Sequence, residues 1–527
     1  MDSNQIQILT SMVLYMLLVV SVSVYVANKV KQTSSNYFLG GRSLGPWVTA
    51  MSAEASDMSG WLLMGLPGVA YWCGIADAMW TAIGLAVGTY LNWLLIAKRL
   101  RTYSENMGDS ITLPEFFSNR FNEKKKIILS ISAVFILIFF TVYAASCFVT
   151  CGKLFSTLFG LDYHIMMVIG ALFVIAYTLI GGFLAESVSD FIQAIVMVSA
   201  LIIILIVGII NAGGIAQVIE NAKSIPGYFS LSSIANPNTN ADGVQTVING
   251  VPQFNESSSY GFITIISGLA WGLGYFGMPQ VLLRFMAVRD VKELTISRRV
   301  ATVWVVISLL AAVAIGVVGR SLFPTESSLL TSSGAENVFL HISQTLLPPL
   351  IAGVVMAGVL AATISSSDSY LLIATSAFAK NIYQGIIKKD ANDEQVMKVS
   401  KVILLIISLI AIIIAWDENS VIFTIVSFAW AGFGATFGPL MIFSLFSKKV
   451  NQQGAIAGML TGGITVFIWK LFIKPLGGIF GVYELLPAFI LSCIAIMLVS
   501  ICTHNTSSLK EGVDEDTETT STLCNEM

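Results

Sequence analysis

The sequence predicts an all-α polytopic membrane protein, a single bundle of about 13 transmembrane helices. Three observations predict it. Of the 527 residues, 55% are hydrophobic and only 11% charged, where a soluble domain carries about 25% charge. Mean hydropathy is +0.81. The apolar residues gather into runs close to the roughly 20 residues a helix needs to cross a bilayer. This composition excludes a soluble enzyme. The formal net charge of −3, with basic residues scattered singly, offers no nucleic-acid surface.

Runs bounded by charges or turn residues fall at approximately 6–28, 46–72, 76–97, 127–151, 164–183, 190–212, 261–286, 300–319, 350–377, 402–416, 420–446, 454–473 and 485–502. The first, from Ile6 to Ala27, has no basic residue before it and no small-residue cleavage site, so it reads as a retained span and not a signal peptide. An odd number of spans puts the termini on opposite sides. With the N-terminus outside and the C-terminus cytoplasmic, 23 of the 28 Lys and Arg residues, Lys31 and Lys510 among them, fall on the cytoplasmic face. Lys153, Lys223, Arg320, Lys470 and Lys474 stay outside, the asymmetry that orients membrane proteins.

The polar stretch 213–260, rich in Asn, Ser and Gly, reads as a long external loop and contains the glycosylation pattern Asn255-Glu256-Ser257. One transmembrane domain therefore occupies 1–503. The tail 504–527 sets Lys510 against six acids, too acidic to bury a core, and is expected to be a disordered cytoplasmic end. Cys73, Cys147, Cys151, Cys493, Cys502 and Cys524 follow no CxxC spacing and read as small buried hydrophobes. His164, His341 and His504 stand too far apart for a helix-borne metal motif.

Two spans are interrupted. The second contains Ser52-Ala53-Glu54-Ala55-Ser56-Asp57-Met58-Ser59-Gly60-Trp61, and the seventh carries Gly268, Gly272, Gly274, Gly277 and Pro279 around Trp271, Tyr275 and Phe276. Gly weakens a helix by about 1 kcal/mol and Pro by about 3 kcal/mol, and irregular backbone at membrane depth is tolerated only where it lines a cavity or is buried in protein. Both segments are therefore expected to be broken helices lining a site. The second span opens a set of five helices, 46–212, and the seventh opens another five, 261–446. Five spans per set give the sets opposite topology, and interruptions at matching positions of inverted repeats mark the binding site of a secondary transporter. The run 6–28 then lies outside the repeats, as do the two helices of 454–502. Gly84/Gly88, Gly434/Gly438 and Gly454/Gly458 read instead as close helix packing.

The ninth span holds a third polar cluster: Thr363, Ser365, Ser366, Ser367, Asp368 and Ser369. Oxygen ligands suit a hard cation such as Na⁺. Asp57, Asp190 and Asp368 would each cost at least about 2.5–3.5 kcal/mol facing lipid at a helix centre, so all three should face the interior. An ion pathway is the leading reading of these acids, and pairing to a helix end the second.

The segments Leu39–Pro46, Ser52–Trp61 with Leu63–Gly68, Ile180–Ala185, Trp271–Pro279 followed by Arg284-Phe285-Met286, and Ala429–Gly434 carry a resemblance. Over about residues 10 to 500 the chain resembles the proline-transporting branch of the sodium:solute symporter family. The resemblance implies a LeuT-type 5+5 inverted-repeat core with one extra helix before it and two after it, in a multi-pass protein of the cell membrane. It implies a Na⁺ site made by the main-chain oxygens of Ala55, Met58 and Ala362 and the hydroxyls of Ser365 and Ser366. It further implies proline against Ser59, Gly60, Tyr143, Trp271, Tyr275 and Pro279, a role for Asp57 in Na⁺ affinity, and a place for Asp190 on the inner Na⁺ path. Three positions depart from the family pattern. Ser366 stands where the best-known proline transporter has Thr, Asp368 and Ser369 stand where some members use hydroxyls for a second Na⁺, and Glu54 replaces a small residue.

The expected activity is uptake of L-proline coupled to inward Na⁺ movement by alternating access. A zwitterion at the midplane needs half-helix N-termini for its carboxylate and oxygen acceptors for its ammonium, and Trp271, Tyr275 and Phe276 offer an apolar wall. Symport of another amino acid, a betaine or a carboxylate is the nearest rival, and a transporter-like sensor a distant one. The sequence has no HExxH, GxSxG or Walker A pattern. Lipid, Na⁺ and proline are the expected partners, with no obligatory protein partner.

Overall fold

The computed structural model describes residues 2–29 and 33–503. Lys31 and the tail 504–527, with His504, Lys510 and Cys524, lie outside the described residues. The principal helices are α1 (Ser3–Ala27), α2 (Pro46–Asp57), α3 (Trp61–Cys73), α4 (Ile75–Leu95), α5 (Ile127–Phe159), α6 (Tyr163–Ile180), α7 (Phe183–Asn211) and α8 (Phe262–Gly274). They continue with α9 (Pro279–Ala287), α10 (Leu294–Leu322), α11 (Pro349–Ser376), α12 (Asp393–Ile414), α13 (Ile422–Phe446), α14 (Gln452–Ile468) and α15 (Leu485–Cys502). Each of the expected apolar runs falls on one of these helices or on a broken pair. By length and composition, 10 helices among the described residues are apolar enough to cross a membrane, or 11 if the bent pair α8–α9 is one span. Two further apolar helices, α3 and α6, are shorter. The first is half of a span interrupted after Asp57, and the second stops where Gly181 and Gly182 adopt extended backbone.

Helix α11 is the axis of the bundle. Every residue from Val355 to Ser376 is buried, which takes the hydroxyl-rich run Ser365–Ser369 out of reach of lipid. Helix α1 covers one side of it at Gly353, where a Cβ would meet Ile8 O at 2.6 Å. The outer surface is apolar, with Leu14, Leu17, Ile206, Ile210, Leu409 and Ile413 exposed. Such an exterior suits a hydrocarbon solvent and not water.

The expected all-α character needs one correction. The segment 213–260 folds into a helix, Ile215–Ser224, and two small antiparallel pairs, β1 (Ser233–Pro237) with β4 (Phe254–Ser259), and β2 (Val247–Ile248) with β3 (Val251–Pro252). The cause is local: Asn249 and Gly250, both at positive φ (51° and 76°), make the two-residue turn that an Asn-Gly pair favours in a hairpin. The loop is tied down by Arg320 Nη2, which donates to Gln245 Oε1 at 2.8 Å, and by Gln245 N, which donates to Leu330 O at 2.7 Å.

Candidate functional site

The first break is short. Helix α2 begins with Pro46 in its first turn, ends at Asp57, and passes through Met58 with a non-helical ψ of 75° before α3 resumes past Gly60. Asp, Ser and Gly are weak helix formers whose side chains compete for backbone groups, so the helix fails where Asp57, Ser59 and Gly60 meet. Helix α5 packs directly against that point: a Cβ on Gly60 would lie 2.3 Å from Thr150 Oγ1.

The second break lies between α8 and α9, which meet at 44°. Pro279 lacks an N–H and pushes the preceding residue out of helical backbone, and Met278 is extended at φ −75°, ψ 109°. The glycines before it play a different part from the one expected. Gly268 and Gly272 remain helical and abut Gly84 and Gly88 of α4, with a Cβ on Gly88 meeting Gly272 O at 2.3 Å. Likewise a Cβ on Gly274 would strike the Trp430 ring at 1.9 Å and one on Gly277 would strike Phe433 O at 2.4 Å. These glycines allow close helix approach, and Pro279 makes the break. Gly434/Gly438 and Gly454/Gly458 are packing positions as expected, against Gly274, Leu485 and Phe489 and against Ser500 and Ile496.

The two breaks are joined. Tyr275 donates its hydroxyl to Asp57 Oδ2 at 2.9 Å, Gln280 Nε2 donates to Oδ1 at 3.2 Å, and Trp61 Nε1 donates to the Asp57 carbonyl at 3.4 Å. Asp57 is fully buried.

On the other side of α2, α11 supplies hydroxyls. Ser365 Oγ donates to Ala55 O at 2.8 Å and to Ala362 O at 3.3 Å, and Ser366 Oγ donates to Ala55 O at 3.2 Å. Four of the five expected Na⁺ ligands thus converge, and the fifth, Met58, sits buried at the break itself. An all-oxygen set of carbonyls and hydroxyls is what a hard cation takes.

The residues expected around proline are also gathered at the breaks. Ser59 Oγ and Tyr143 Oη are buried without a hydrogen-bond partner, and the Tyr143 ring stacks on Tyr370 at 4.3 Å. Trp271 is 4% exposed and surrounded by rings, with Phe423 at 5.0 Å and Tyr483 at 5.4 Å. Tyr275 lies edge-on to Trp430 at 4.9 Å, and Phe276 and Pro279 are buried beside it.

Asp190, Asp368 and Ser369 meet a residue that had no assigned role. Arg284 of α9, fully buried, pairs with Glu186 and with Asp190 Oδ2 (3.1 Å), and donates to Ser369 Oγ at 2.8 Å and Ser52 Oγ at 3.0 Å. Ser52 Oγ donates to Asp190 Oδ2 at 2.8 Å, and Ser369 Oγ to Glu186. Asp190 is thereby paired to a cation. Asp368 is 3% exposed, and among the described residues Arg284 pairs with Glu186 and Asp190 and not with it. Glu186 escapes notice in the sequence because it falls between the runs 164–183 and 190–212; the helix in fact starts at Phe183, placing Glu186 and Asp190 one turn apart on one face. At the far end of the bundle Glu336 accepts from Lys153 Nζ at 2.6 Å and from the N–H groups of Ile422 and Phe423 at 3.0 and 3.1 Å, closing the start of α13.

The chain is similar to known proteins in sequence and in fold. The family model of the sodium:solute symporter family matches residues 37–462. Sodium/proline symporters of Staphylococcus aureus strains USA300 / TCH1516 and NCTC 8325 / PS 47 are each 39% identical over 503 residues, covering 94% of this chain and 93% of the relative. A solved structure described as the substrate-bound outward-open state of a Na⁺-coupled sialic acid symporter shares the fold, with a TM-score of 0.75 at 20% identity over 95% of this chain and 99% of that one. With the family model spanning most of its length and relatives aligned almost end to end, the chain belongs to the sodium:solute symporter family, as a multi-pass membrane transporter and not an enzyme.

Proposed function

We propose that the protein is a secondary transporter that couples inward Na⁺ movement to uptake of L-proline by alternating access. One observation carries the reading: the breaks in α2 and α8–α9 lie side by side, joined by Asp57 and Tyr275, with the Ser365 and Ser366 hydroxyls on the Ala55 carbonyl. The substrate follows from relatives named for sodium and proline at 39% identity.

Na⁺ binds the carbonyls of Ala55, Met58 and Ala362 and the hydroxyls of Ser365 and Ser366. It holds the unwound backbone in the shape that receives proline, so each ligand raises the other's affinity by the same factor. Proline lies against Ser59, Gly60, Tyr143, Trp271, Tyr275, Phe276 and Pro279. The unpartnered Ser59 and Tyr143 hydroxyls are free to bond it, whereas the Tyr275 hydroxyl is engaged by Asp57 and contributes its ring. The aromatic enclosure of Trp271 suits a pyrrolidine ring. Asp190, Asp368 and Ser369 form the inner ion path, with Arg284 on Glu186 and Asp190 holding that end closed.

The topology that fits is 13 spans with a LeuT-type 5+5 inverted-repeat core, N-terminus outside and C-terminus cytoplasmic, in the cell membrane; the expected runs and the 23-to-5 division of basic residues support it. Labelling of single cysteines placed in 213–260 and near Lys388 from either side tests the orientation. The function is tested by labelled-proline uptake into proteoliposomes with and without an inward Na⁺ gradient, competed by unlabelled proline, other amino acids and betaines. Uptake indifferent to Na⁺ overturns the coupling, and competition by another solute in preference to proline overturns the substrate.

A further inference from the structure

Glu54, Asp57 and the residues facing them form a second cluster of oxygen atoms, and we propose that it holds a second sodium ion. The inference rests on the Na⁺-coupled reading above and adds to it a site apart from the Ala55, Ser365 and Ser366 oxygens.

The two acids stand three residues apart near the end of α2, hence on one helical face, and are 1% and 0% exposed. Glu54 Oε1 accepts from Trp93 Nε1 of α4 at 3.2 Å, and the Trp93 ring packs on Phe285 of α9 at 4.4 Å. The cluster therefore lies between α2, α4 and α9. Helix α11 contacts α2 through the Ala55 carbonyl instead.

Two buried carboxylates so close each need a proton or a positive charge, because unpaired buried charge is among the most costly arrangements in a protein. Among the described residues no Lys or Arg pairs with either acid. The nearest buried cation in sequence to Gln280, Arg284, already holds Glu186 and Asp190.

Oxygens for a cation are present, and several have no other partner. Glu54 Oε2 is buried and unpartnered. Gln280, whose amide nitrogen is 3.2 Å from Asp57, leaves its own Oε1 buried and unpartnered beside that carboxylate. Helix α4 presents the Thr89 hydroxyl next to the Tyr275 hydroxyl and, one turn on, the Asn92 amide, whose oxygen and nitrogen are both buried and unpartnered. The close glycine contact of Gly88 with Gly272 brings that stretch of α4 near. Carboxylate, amide and hydroxyl oxygens, without sulfur or imidazole, suit sodium.

The test counts ions on the full chain. Purified protein in detergent is titrated with ²²Na⁺ in the absence of proline, and reconstituted protein is assayed for ²²Na⁺ moved per labelled proline. Wild type is expected to bind two Na⁺ and to carry two per proline. Glu54→Gln is expected to bind and carry one, with the Hill coefficient for Na⁺ falling from near two toward one while uptake remains Na⁺-dependent. Glu54→Asp, which keeps the charge, is expected to restore the second ion with weaker affinity. Thermal unfolding in detergent guards against misfolding. A single Na⁺ in wild type, or two retained in Glu54→Gln, overturns the inference. So does one Na⁺ accompanied by proton uptake that Glu54→Gln abolishes, because the cluster then serves a proton. A protein that binds two Na⁺ but moves no proline sinks the functional reading and leaves this site standing.

Discussion

The hydroxyl of Tyr275 lies 2.9 Å from the carboxylate of Asp57, and this bond spans the two helix breaks. Asp57 ends the last turn of α2 and Tyr275 precedes the kink at Met278, so any movement of one broken helix is felt by the other. A hydrogen bond to a charged group contributes about 1.5–3 kcal/mol, and about 1.4 kcal/mol is a tenfold change in affinity. Tyr275→Phe keeps the ring against Trp430 and removes only the hydroxyl. It is expected to raise the Na⁺ concentration for half-maximal uptake at least roughly tenfold, and Asp57→Asn to raise it further. Sodium titration of labelled-proline uptake measures this, and an unchanged curve in well-expressed Asp57→Asn would show that its charge plays no part in coupling.

The α11 hydroxyls make a graded prediction. Ser365 Oγ reaches both Ala55 O and Ala362 O, and Ser366 Oγ reaches Ala55 O alone. Alanine at either position removes a proposed cation ligand and one of the two hydroxyl donors to the buried Ala55 oxygen, a hydrogen bond that contributes about 0.5–1.5 kcal/mol. Ser365→Ala should therefore raise the Na⁺ requirement by roughly tenfold or more and Ser366→Ala by less, while Ser366→Thr, which keeps the hydroxyl, should sit near wild type. Sodium curves that fail to separate Ala from Thr at 366 would remove that hydroxyl as a ligand.

Why some of this site is legible in the sequence and some is not comes down to range. Ser-Asp-Met-Ser-Gly in an apolar run is a local contradiction, and so is Pro279 after a glycine-rich stretch; both announce a break without any partner. The hydroxyls at 365 and 366 are legible for the same reason. Arg284 is not, because its partners Glu186 and Asp190 are 98 and 94 residues away in sequence. The glycines of α8 mislead, because a residue that permits a kink equally permits contact with Gly84 and Gly88. The hairpin in 213–260 does carry a local signal, Asn249-Gly250, which is lost in a stretch read only for its polarity.

Arg284 makes the clearest prediction about integrity. It is the cation between Glu186 and Asp190, all three side chains being at most 1% exposed. Removing one partner of a buried ion pair costs about 3–5 kcal/mol, because the remaining charge has no water to turn to. Arg284→Gln is expected to lower the unfolding temperature in detergent and the yield of folded protein, and adding Glu186→Gln to recover part of that loss. Arg284→Lys should fall short of wild type, since a single ammonium cannot reproduce the guanidinium bonds to Glu186, Asp190, Ser369 and Ser52. Equal stability of Arg284→Gln and wild type would mean that the acids find another counter-charge.

Contact between α5 and the first break gives the last prediction. A Cβ on Gly60 would lie 2.3 Å from Thr150 Oγ1 and 2.5 Å from Thr150 Cγ2, distances that no side-chain rotation relieves entirely because Thr150 Cβ is itself only 2.9 Å away. Gly60→Ala must then push α5 from the break, and Tyr143, two turns earlier on α5, moves with it. The expected result is loss of most proline uptake, with the proline half-saturation affected more than the Na⁺ half-saturation, because the Ala55, Ser365 and Ser366 oxygens lie on the α11 side. Thr150→Ala should be tolerated alone and, combined with Gly60→Ala, should restore part of the uptake by deleting the two nearest atoms. Additive losses in the double variant would locate the defect in the backbone of Gly60 and not in its collision with Thr150.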